Sequence, residues 1–199
     1  GDLDRAVPLY RQAAERKDDL AAPDASRLLA CLAGGRQIQG DLDQAEALAT
    51  LGRLRQEAGE TDQARELYER TIAVEPDNFT ARHGLGRILF DERRYAEALA
   101  HFDRALAGES GFSFAFADRA RTRAALEDWA GAAADLEQAL RLDPQDPWSW
   151  LDRGKLHLRA RRLREAEADF SRCLALDPDN FLARVLRAGL LEEQGRAAE

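Results

Sequence analysis

The sequence predicts an all-α fold in which antiparallel helix pairs stack into a solenoid, and three observations support this prediction. Side chains of similar size and polarity recur every 34 residues through four consecutive units of the 199-residue chain. Within each unit these side chains lie three or four residues apart, which places them on one face of a helix. Strand signals are nearly absent, so the apolar face of each helix pair must be buried against the next pair.

The clearest unit spans residues 147–180 and contains two amphipathic segments joined by a short turn. Numbered from the start of each unit, position 8 is small, position 20 is alanine, and position 24 is aromatic or leucine. The residues at these three positions are Gly52, Gly86, Ala120 and Gly154; Ala64, Ala98, Ala132 and Ala166; and Tyr68, Phe102, Leu136 and Phe170. The small residues at positions 8 and 20 predict that the two helices of a pair approach each other closely.

This unit, which has proline at position 32 in three of its four copies, resembles the tetratricopeptide repeat (TPR). The resemblance implies a right-handed superhelical solenoid with repeats at residues 45–78, 79–112, 113–146 and 147–180. It assigns residues 181–199 to a partial repeat or capping helix, and residues 1–44 to irregular TPR-like helices. Only two of the 29 basic residues are lysines, and the chain lacks methionine and begins and ends inside repeats. We therefore expect a fragment of a larger bacterial protein.

The register predicts nine helices from residue 46 onward, and several of their ends have a chemical reason. Asp146 before Pro147 predicts an N-cap followed by proline at the first helical position, where its missing N–H costs nothing. Asp143 and Asp177 end the preceding helices, because a residue before proline disfavours the α region. The helices are expected near residues 46–57, 62–75, 80–91, 96–107, 114–126, 130–142, 148–160, 164–176 and 182–194.

The N-terminal part departs from this register. Residues 1–17 fit a second helix of the unit, with Ala6 and Tyr10 at positions 20 and 24. About ten residues are then missing before the unit that starts at residue 45, by comparison with an unbroken repeat. We favour a turn at Gly40 followed by a long helix from Asp43. The alternative is a turn at Gly34-Gly35 with residues 36–44 irregular.

Composition and motifs argue against several function classes. A net charge of −8 does not favour nucleic-acid binding, in which a basic surface supplies most of the affinity. We find no metal-ligand spacing, no phosphate-binding glycine loop and no nucleophile elbow, so we expect no enzyme activity and no cofactor. The sequence has no run of about 18 apolar residues, and its first residues do not resemble a signal peptide, although targeting signals could lie outside this fragment. We therefore expect no membrane insertion and a soluble chain of the cytoplasm or periplasm.

Comparison of the units with each other predicts a buried ion pair inside two of them. Where position 7 is arginine, at Arg119 and Arg153, position 23 is Asp135 or Asp169. Where position 7 is leucine, position 23 is Leu67 or His101. This pattern indicates a structural Arg–carboxylate bond within one helix hairpin.

The opposite face of each first helix is the candidate binding surface. Positions 2, 5 and 9 point away from the packed layer, and the TPR resemblance implies that this face lines a concave groove for a peptide or a partner helix. Position 9 is cationic in all four units, and positions 2 and 5 become apolar toward the C-terminus. Stacked cations suit carboxylates, and large apolar side chains act as anchors. The candidate partner-binding residues are Arg53, His83, Arg87, Phe114, Arg121, Trp148, Leu151 and Lys155.

This surface has an alternative interpretation, in which the cations only balance nearby acids. Asp91, Asp118 and Asp152 are the carboxylates that would do so. The resemblance also covers family members that clamp chaperone tails with particular Lys and Asn residues. Position 9 has no asparagine here, so a chaperone-tail receptor is not expected.

The leading functional hypothesis is a non-catalytic protein-interaction scaffold that binds a protein or an acidic and hydrophobic peptide. A second hypothesis makes the chain the TPR arm of a larger bacterial enzyme or export machine, such as a glycosyltransferase or an exopolysaccharide-secretion protein. A third is end-to-end self-association. It predicts that the last helix, from Phe181, exposes Leu186, Leu190 and Leu191.

Overall fold

The computed structural model describes residues 41–108 and 111–196, which form nine α-helices and no strand. The all-α prediction is confirmed, and apart from the start of the first helix each predicted end lies within one residue of the observed end. The helices are α1 (Asp41–Glu57), α2 (Thr61–Val74), α3 (Phe79–Asp91), α4 (Tyr95–Gly108), α5 (Ser113–Ala125), α6 (Trp129–Leu142), α7 (Pro147–Arg159), α8 (Leu163–Leu176) and α9 (Phe181–Glu193). The interpretation of residues 1–40, including the helix at Ala6 and Tyr10, lies outside the described residues.

The long helix predicted for the first repeat is present, and the predicted turn at Gly40 lies outside the described residues. Helix α1 begins at Asp41, two residues before the predicted start at Asp43. Residues 41–44 are therefore helical, contrary to the alternative in which residues 36–44 are irregular. The predicted cap of α7 is also present, because the Asp146 carboxylate accepts hydrogen bonds from the backbone N–H groups of Trp148 and Ser149 at 3.1 Å each.

The chain divides into two compact units between Ile88 and Leu89. In the first unit α1 and α2 form a hairpin, and α2 packs on the first part of α3. The Tyr68 ring is buried at the centre of this unit, and a Cβ atom added to Gly52 would lie 2.7 Å from it. Glycine at position 8 therefore makes room for an aromatic ring at position 24, and not only for the alanine at position 20.

In the second unit α5 with α6 and α7 with α8 form hairpins, and α9 packs on α8. The core around α7, α8 and α9 contains Leu151, Phe170 and Cys173, each with no exposed surface. A Cβ atom added to Gly154 would lie 2.5 Å from Phe170 Cε1. The contact between positions 8 and 24 is thus the same as in the first unit.

The turn between the two helices of a repeat is the same throughout the described residues. Position 15 has a positive φ in five successive repeats, and its N–H donates to the carbonyl of position 12. The N–H of position 16 then donates to the carbonyl of position 11, which closes the first helix. The residues at position 15 are Gly59, Arg93, Glu127, Arg161 and Gly195.

The prediction that the last helix exposes Leu186, Leu190 and Leu191 is wrong. Leu190 and Leu191 are buried, and Leu186 packs against the core of α7 and α8. Ala183, Leu186 and Leu190 lie three and four residues apart, so they share the face of α9 that packs against Phe170 and Cys173 of α8. The apolar side chains that α9 does expose are Phe181, Leu182 and Val185.

Burial raises the pKa of the Cys173 thiol to about 11. A folded-state pKa above the unfolded value contributes stability that is present below about pH 9 and lost as the pH rises toward 11. We expect the free energy of unfolding to fall by about 2–3 kcal/mol across this range through Cys173 alone. The Cys173→Ala variant, which copies Ala139 at the same position, should lose this part of the alkaline slope in urea unfolding at several pH values. An unchanged slope would contradict the assignment.

Over the described residues, no helix is long and apolar enough to cross a membrane.

Candidate partner-binding surface

Two large aromatic side chains stand out at position 2 of successive first helices. Phe114 on α5 is 47% exposed and Trp148 on α7 is 54% exposed. The other two tryptophans have structural partners: the Trp150 indole donates to the Pro144 carbonyl at 2.9 Å, and the Trp129 ring lies 3.8 Å from the Arg159 guanidinium. Among the described residues, the Trp148 indole has no hydrogen bond, ring contact or cation–π partner. Its exposed ring is therefore a candidate for contact with a partner.

Leu151 does not belong to this surface, although the sequence placed it there. It has no exposed surface and packs in one cluster with Ala183 and Leu190 of α9. Position 5 faces the first helix of the following repeat, so a large apolar residue there is covered whenever that helix is present. Leu151 is therefore a core residue and not an anchor for a partner.

The cations of the second unit are joined to carboxylates. Arg121 donates from Nε to Asp152 and from Nη1 to Asp118, at 2.8 Å each, and Lys155 Nζ lies 2.8 Å from Asp152. Burial alone would lower the pKa of Arg121, but the bonds to these carboxylates outweigh it and the pKa is raised. Asp152 links α5 to α7, and the network is neutral overall. The interpretation in which cations balance nearby acids thus describes Arg121 and Lys155.

The cations of the first unit are held less firmly. Arg53 pairs at 2.6 Å with Glu57 on its own helix, where both side chains are exposed. Arg87 is exposed, and within the described residues no carboxylate lies within ion-pair distance of it. His83 stacks in parallel on Phe79, with ring centroids 5.7 Å apart. In this unit Arg53 therefore pairs only within its own helix, and no ion pair joins position 9 to a neighbouring first helix among the described residues.

This difference predicts unequal effects for two matched substitutions. Arg121→Ala should lower the free energy of unfolding by about 1 kcal/mol, because it removes the bridge between α5 and α7 from a partly exposed ion network. Arg87→Ala, at the same position of another repeat, should leave it within about 0.5 kcal/mol of the parent. Urea unfolding of the two variants measures both values. Equal losses would contradict the assignment of the network.

The predicted ion pairs at positions 7 and 23 are present. Arg153 donates from Nε and Nη2 to the two carboxylate oxygens of Asp169, at 3.0 and 2.6 Å. Arg119 holds Asp135 in the same way, at 2.9 and 2.7 Å. Both aspartates are buried, so the role is structural.

Sequence reasoning missed a third member of each pair. Arg123 Nη1 donates to Asp135 at 2.8 Å, and His157 Nδ1 lies 2.9 Å from Asp169 Oδ2 without hydrogen-bond geometry. Both residues occupy position 11, one helical turn after position 7, and this spacing could have revealed them.

The described residues contain no group of three or more His, Cys, Asp or Glu side chains that could hold a metal ion. The candidate surface offers apolar contacts at position 2 and charged contacts at position 9.

Comparison with known proteins gives the family. Models of the tetratricopeptide repeat match residues 49–112 and 151–199, which is more than half of the chain, and residues 123–168. The chain belongs to the tetratricopeptide repeat family. The TPR resemblance of the sequence is thereby confirmed. No curated protein matches the chain significantly.

Solved structures confirm the TPR fold. The crystal structure of MamA protein matches with a TM-score of 0.69 and 14% identity over 80% of this chain and 86% of that one. YrrB, described as a TPR protein with an unusual peptide-binding site, matches with a TM-score of 0.65 and 20% identity over 75% and 77%. The second TPR domain of human RPAP3, in complex with the HSP70 peptide SGPTIEEVD, matches with a TM-score of 0.52 and 26% identity over 55% and 91%.

Proposed function

We propose that this TPR chain is a non-catalytic protein-interaction scaffold that binds a partner protein or peptide on the exposed face of its first helices. The observation that carries the proposal is the exposure of Trp148, whose indole has no hydrogen bond, ring contact or cation–π partner among the described residues. Phe114 repeats this exposure at the same position of the preceding repeat. Large apolar patches on a soluble protein mark interaction sites.

The chemistry of these side chains indicates hydrophobic anchors in the ligand. Tryptophan and phenylalanine bring large rigid contact areas at low cost in conformational entropy, and tryptophan is enriched among residues that dominate binding energy. Leucine or aromatic residues of a ligand that contact Phe114 and Trp148 would cover their exposed surface. Leu151, being buried, takes no part.

The cations add a preference for acidic residues, and the two units contribute differently. The side chains of Arg121 and Lys155 are each 40% exposed and are held in place by Asp152. A ligand carboxylate could accept a hydrogen bond from either side chain, but it would gain little net attraction because the ion network is neutral. In the first unit Arg53 and Arg87, with His83 nearby in sequence, offer charge that is not tied to a buried carboxylate. An acidic stretch of the ligand is therefore expected to gain more binding free energy from the cations of the first unit than from those of the second.

Peptide binding by two of the structural neighbours supports this class of function. The peptide bound by the human RPAP3 domain contains both acidic and apolar residues. This chain has Gly84, Asp118 and Asp152 at position 6 and no asparagine at position 9, so we do not extend the proposal to chaperone tails.

The test is selection of ligands from a random peptide library displayed on phage, followed by affinity measurement. We expect enriched peptides to combine acidic residues with leucine or an aromatic residue. Trp148→Thr, which copies Thr80 at the same position, should weaken the best peptide about 30-fold, the effect of a loss of about 2 kcal/mol at a hot spot. Leu142→Thr, at an apolar position of α6 that is 40% exposed, is the control on a second helix and should change affinity little. Equal affinity of all three proteins would contradict the proposal.

A further inference from the structure

Gly84, at position 6 of the second repeat, stands where the next two repeats have an aspartate. These residues, Asp118 and Asp152, each lie 2.8 Å from the cation at position 9 of their own helix. Arg87 is the position-9 cation that follows Gly84, and within the described residues no carboxylate lies within ion-pair distance of it. The second repeat therefore keeps the cation of this pair and lacks the anion.

A tyrosine ring lies directly against Gly84. A Cβ atom added to this glycine would collide with Tyr68 Cζ and would lie 2.7 Å from the hydroxyl oxygen. On its other side the ring contacts Gly52, where an added Cβ atom would lie 2.7 Å from Cε1. The Tyr68 ring thus contacts the first helices of two successive repeats, α1 and α3. Glycine at position 6 leaves the space that this ring and its hydroxyl need.

The Tyr68 hydroxyl joins a group of polar side chains at position 9 and position 12. It donates to Gln56 Oε1 at 3.0 Å. Burial raises the pKa of Tyr68 to about 12, and the positive charges of Arg53 and Arg87 oppose this rise because both lie near the hydroxyl. Since Gln56 Oε1 accepts the tyrosine proton, the amide N–H groups of Gln56 are left to donate to another acceptor. Within residues 41–108 and 111–196 no acceptor binds them.

We propose that Arg53, Gln56 and Arg87 bind one anionic oxygen group of the ligand, a carboxylate or a phosphate. The guanidinium groups suit such oxygens because each presents several N–H donors in a fixed plane. The Tyr68 hydroxyl holds the Gln56 amide so that its N–H groups donate to the same ligand group. The ligand then supplies the negative charge that Gly84 withholds from position 6. This inference rests on the proposed function, because it assigns a ligand group to the same face of the first helices.

Arg53 has a partner that the ligand would replace. It pairs with Glu57 on its own helix, and the two side chains are 45% and 60% exposed. Exposed ion pairs contribute little free energy, so exchange of the Glu57 carboxylate for a ligand oxygen costs little. Arg87 needs no such exchange. The hydrogen bond between Tyr68 and Gln56 is part-buried and stays in place.

The test uses small anions as probes of the full chain, so it does not depend on a peptide ligand. Acetate represents a side-chain carboxylate, and methyl phosphate represents a phosphorylated side chain. Each anion is titrated at constant ionic strength while NMR spectra record the side-chain amide of Gln56 and the Nε–H group of Arg87. We expect saturable shifts of both resonances, and the anion that binds more tightly identifies the ligand group.

Two variants, both checked for folding by circular dichroism, test how the site arises. The first combines Tyr68→Phe with Gly84→Asp and so copies Phe102 and Asp118, which occupy the same positions. The chain then supplies its own carboxylate, and the anion should no longer bind. The second is Tyr68→Phe alone, which keeps the ring and both cations. It should weaken anion binding about fivefold, because Gln56 loses the bond that orients it.

Saturable shifts that disappear in the double variant and weaken in Tyr68→Phe support the proposal. Shifts that are absent from the parent chain, or that persist unchanged in both variants, would overturn it. Equal shifts at all arginine side chains would indicate a non-specific effect of the anion and would also overturn it. The peptide library tests the scaffold function separately, since failure of either experiment leaves the result of the other unchanged.

Discussion

Replacement of Asp169 by alanine is expected to lower the free energy of unfolding by about 3 kcal/mol. The carboxylate is buried and accepts two hydrogen bonds from Arg153, whose side chain is only 24% exposed, and His157 Nδ1 lies 2.9 Å from its Oδ2 atom. Removal of Asp169 leaves the guanidinium partly buried without its counter-charge, which is more costly than the loss of the attraction itself. Urea unfolding followed by circular dichroism measures the change.

The matched control replaces both partners by leucine. Leu51 and Leu67 occupy the same two positions in the first repeat and are both buried. The double variant Arg153→Leu, Asp169→Leu should therefore remain within about 1 kcal/mol of the parent, as replacement of buried ion pairs by apolar side chains often does. A double variant as unstable as Asp169→Ala would mean that the ion pair contributes net stability that leucine side chains do not replace, contrary to this prediction.

Gly154→Leu is expected to cost about 3 kcal/mol, at the upper end of the usual cost of overpacking. A Cβ atom alone would lie 2.5 Å from Phe170 Cε1 and 2.7 Å from Cδ1, and Phe170 has no exposed surface into which it could turn. The helices α7 and α8 must then separate, or the ring must leave its position. The midpoint and free energy of urea unfolding report the loss.

Two controls separate overpacking from other effects of replacing glycine. Gly189→Leu lies in α9, where an added Cβ meets nothing within 4 Å, so it should gain up to about 1 kcal/mol from helix propensity. Phe170→Leu combined with Gly154→Ala recreates the pair formed by Ala120 and Leu136 and should recover most of the loss caused by Gly154→Ala. A failure of the smaller leucine to restore stability would show that the ring does not set the requirement for glycine.

The repeat made most of the fold predictable from the sequence, because helix ends and packing residues recur in register. Asp146 before Pro147 predicted the start of α7. The change from leucine to arginine at position 7, together with aspartate at position 23, predicted the buried ion pairs with Asp135 and Asp169. These features depend on local spacing and on contacts within one hairpin. Because the same contacts form in each hairpin, the residues that make them can be recognised by comparing the copies of the unit.

The binding surface was less predictable, because exposure depends on the neighbouring repeat. Leu151 and Trp148 lie three residues apart on α7, yet the first is covered by α9 and the second is exposed. Likewise Arg87 and Arg121 share position 9, but only Arg121 meets a carboxylate from a following first helix, Asp152. Leu190 is buried for the same reason, because it packs in one cluster with Phe170 and Cys173 of α8. Sequence position alone does not distinguish these cases.

The most direct test of the proposed function is chemical-shift mapping of the ¹⁵N-labelled chain during titration with the best peptide from the library. We predict that the largest changes occur at the amide groups of first-helix residues, around Phe114, Arg121, Trp148 and Lys155, and that the second helices change little. Changes confined to the outer faces of the second helices α6 and α8 would contradict a binding surface on the first helices.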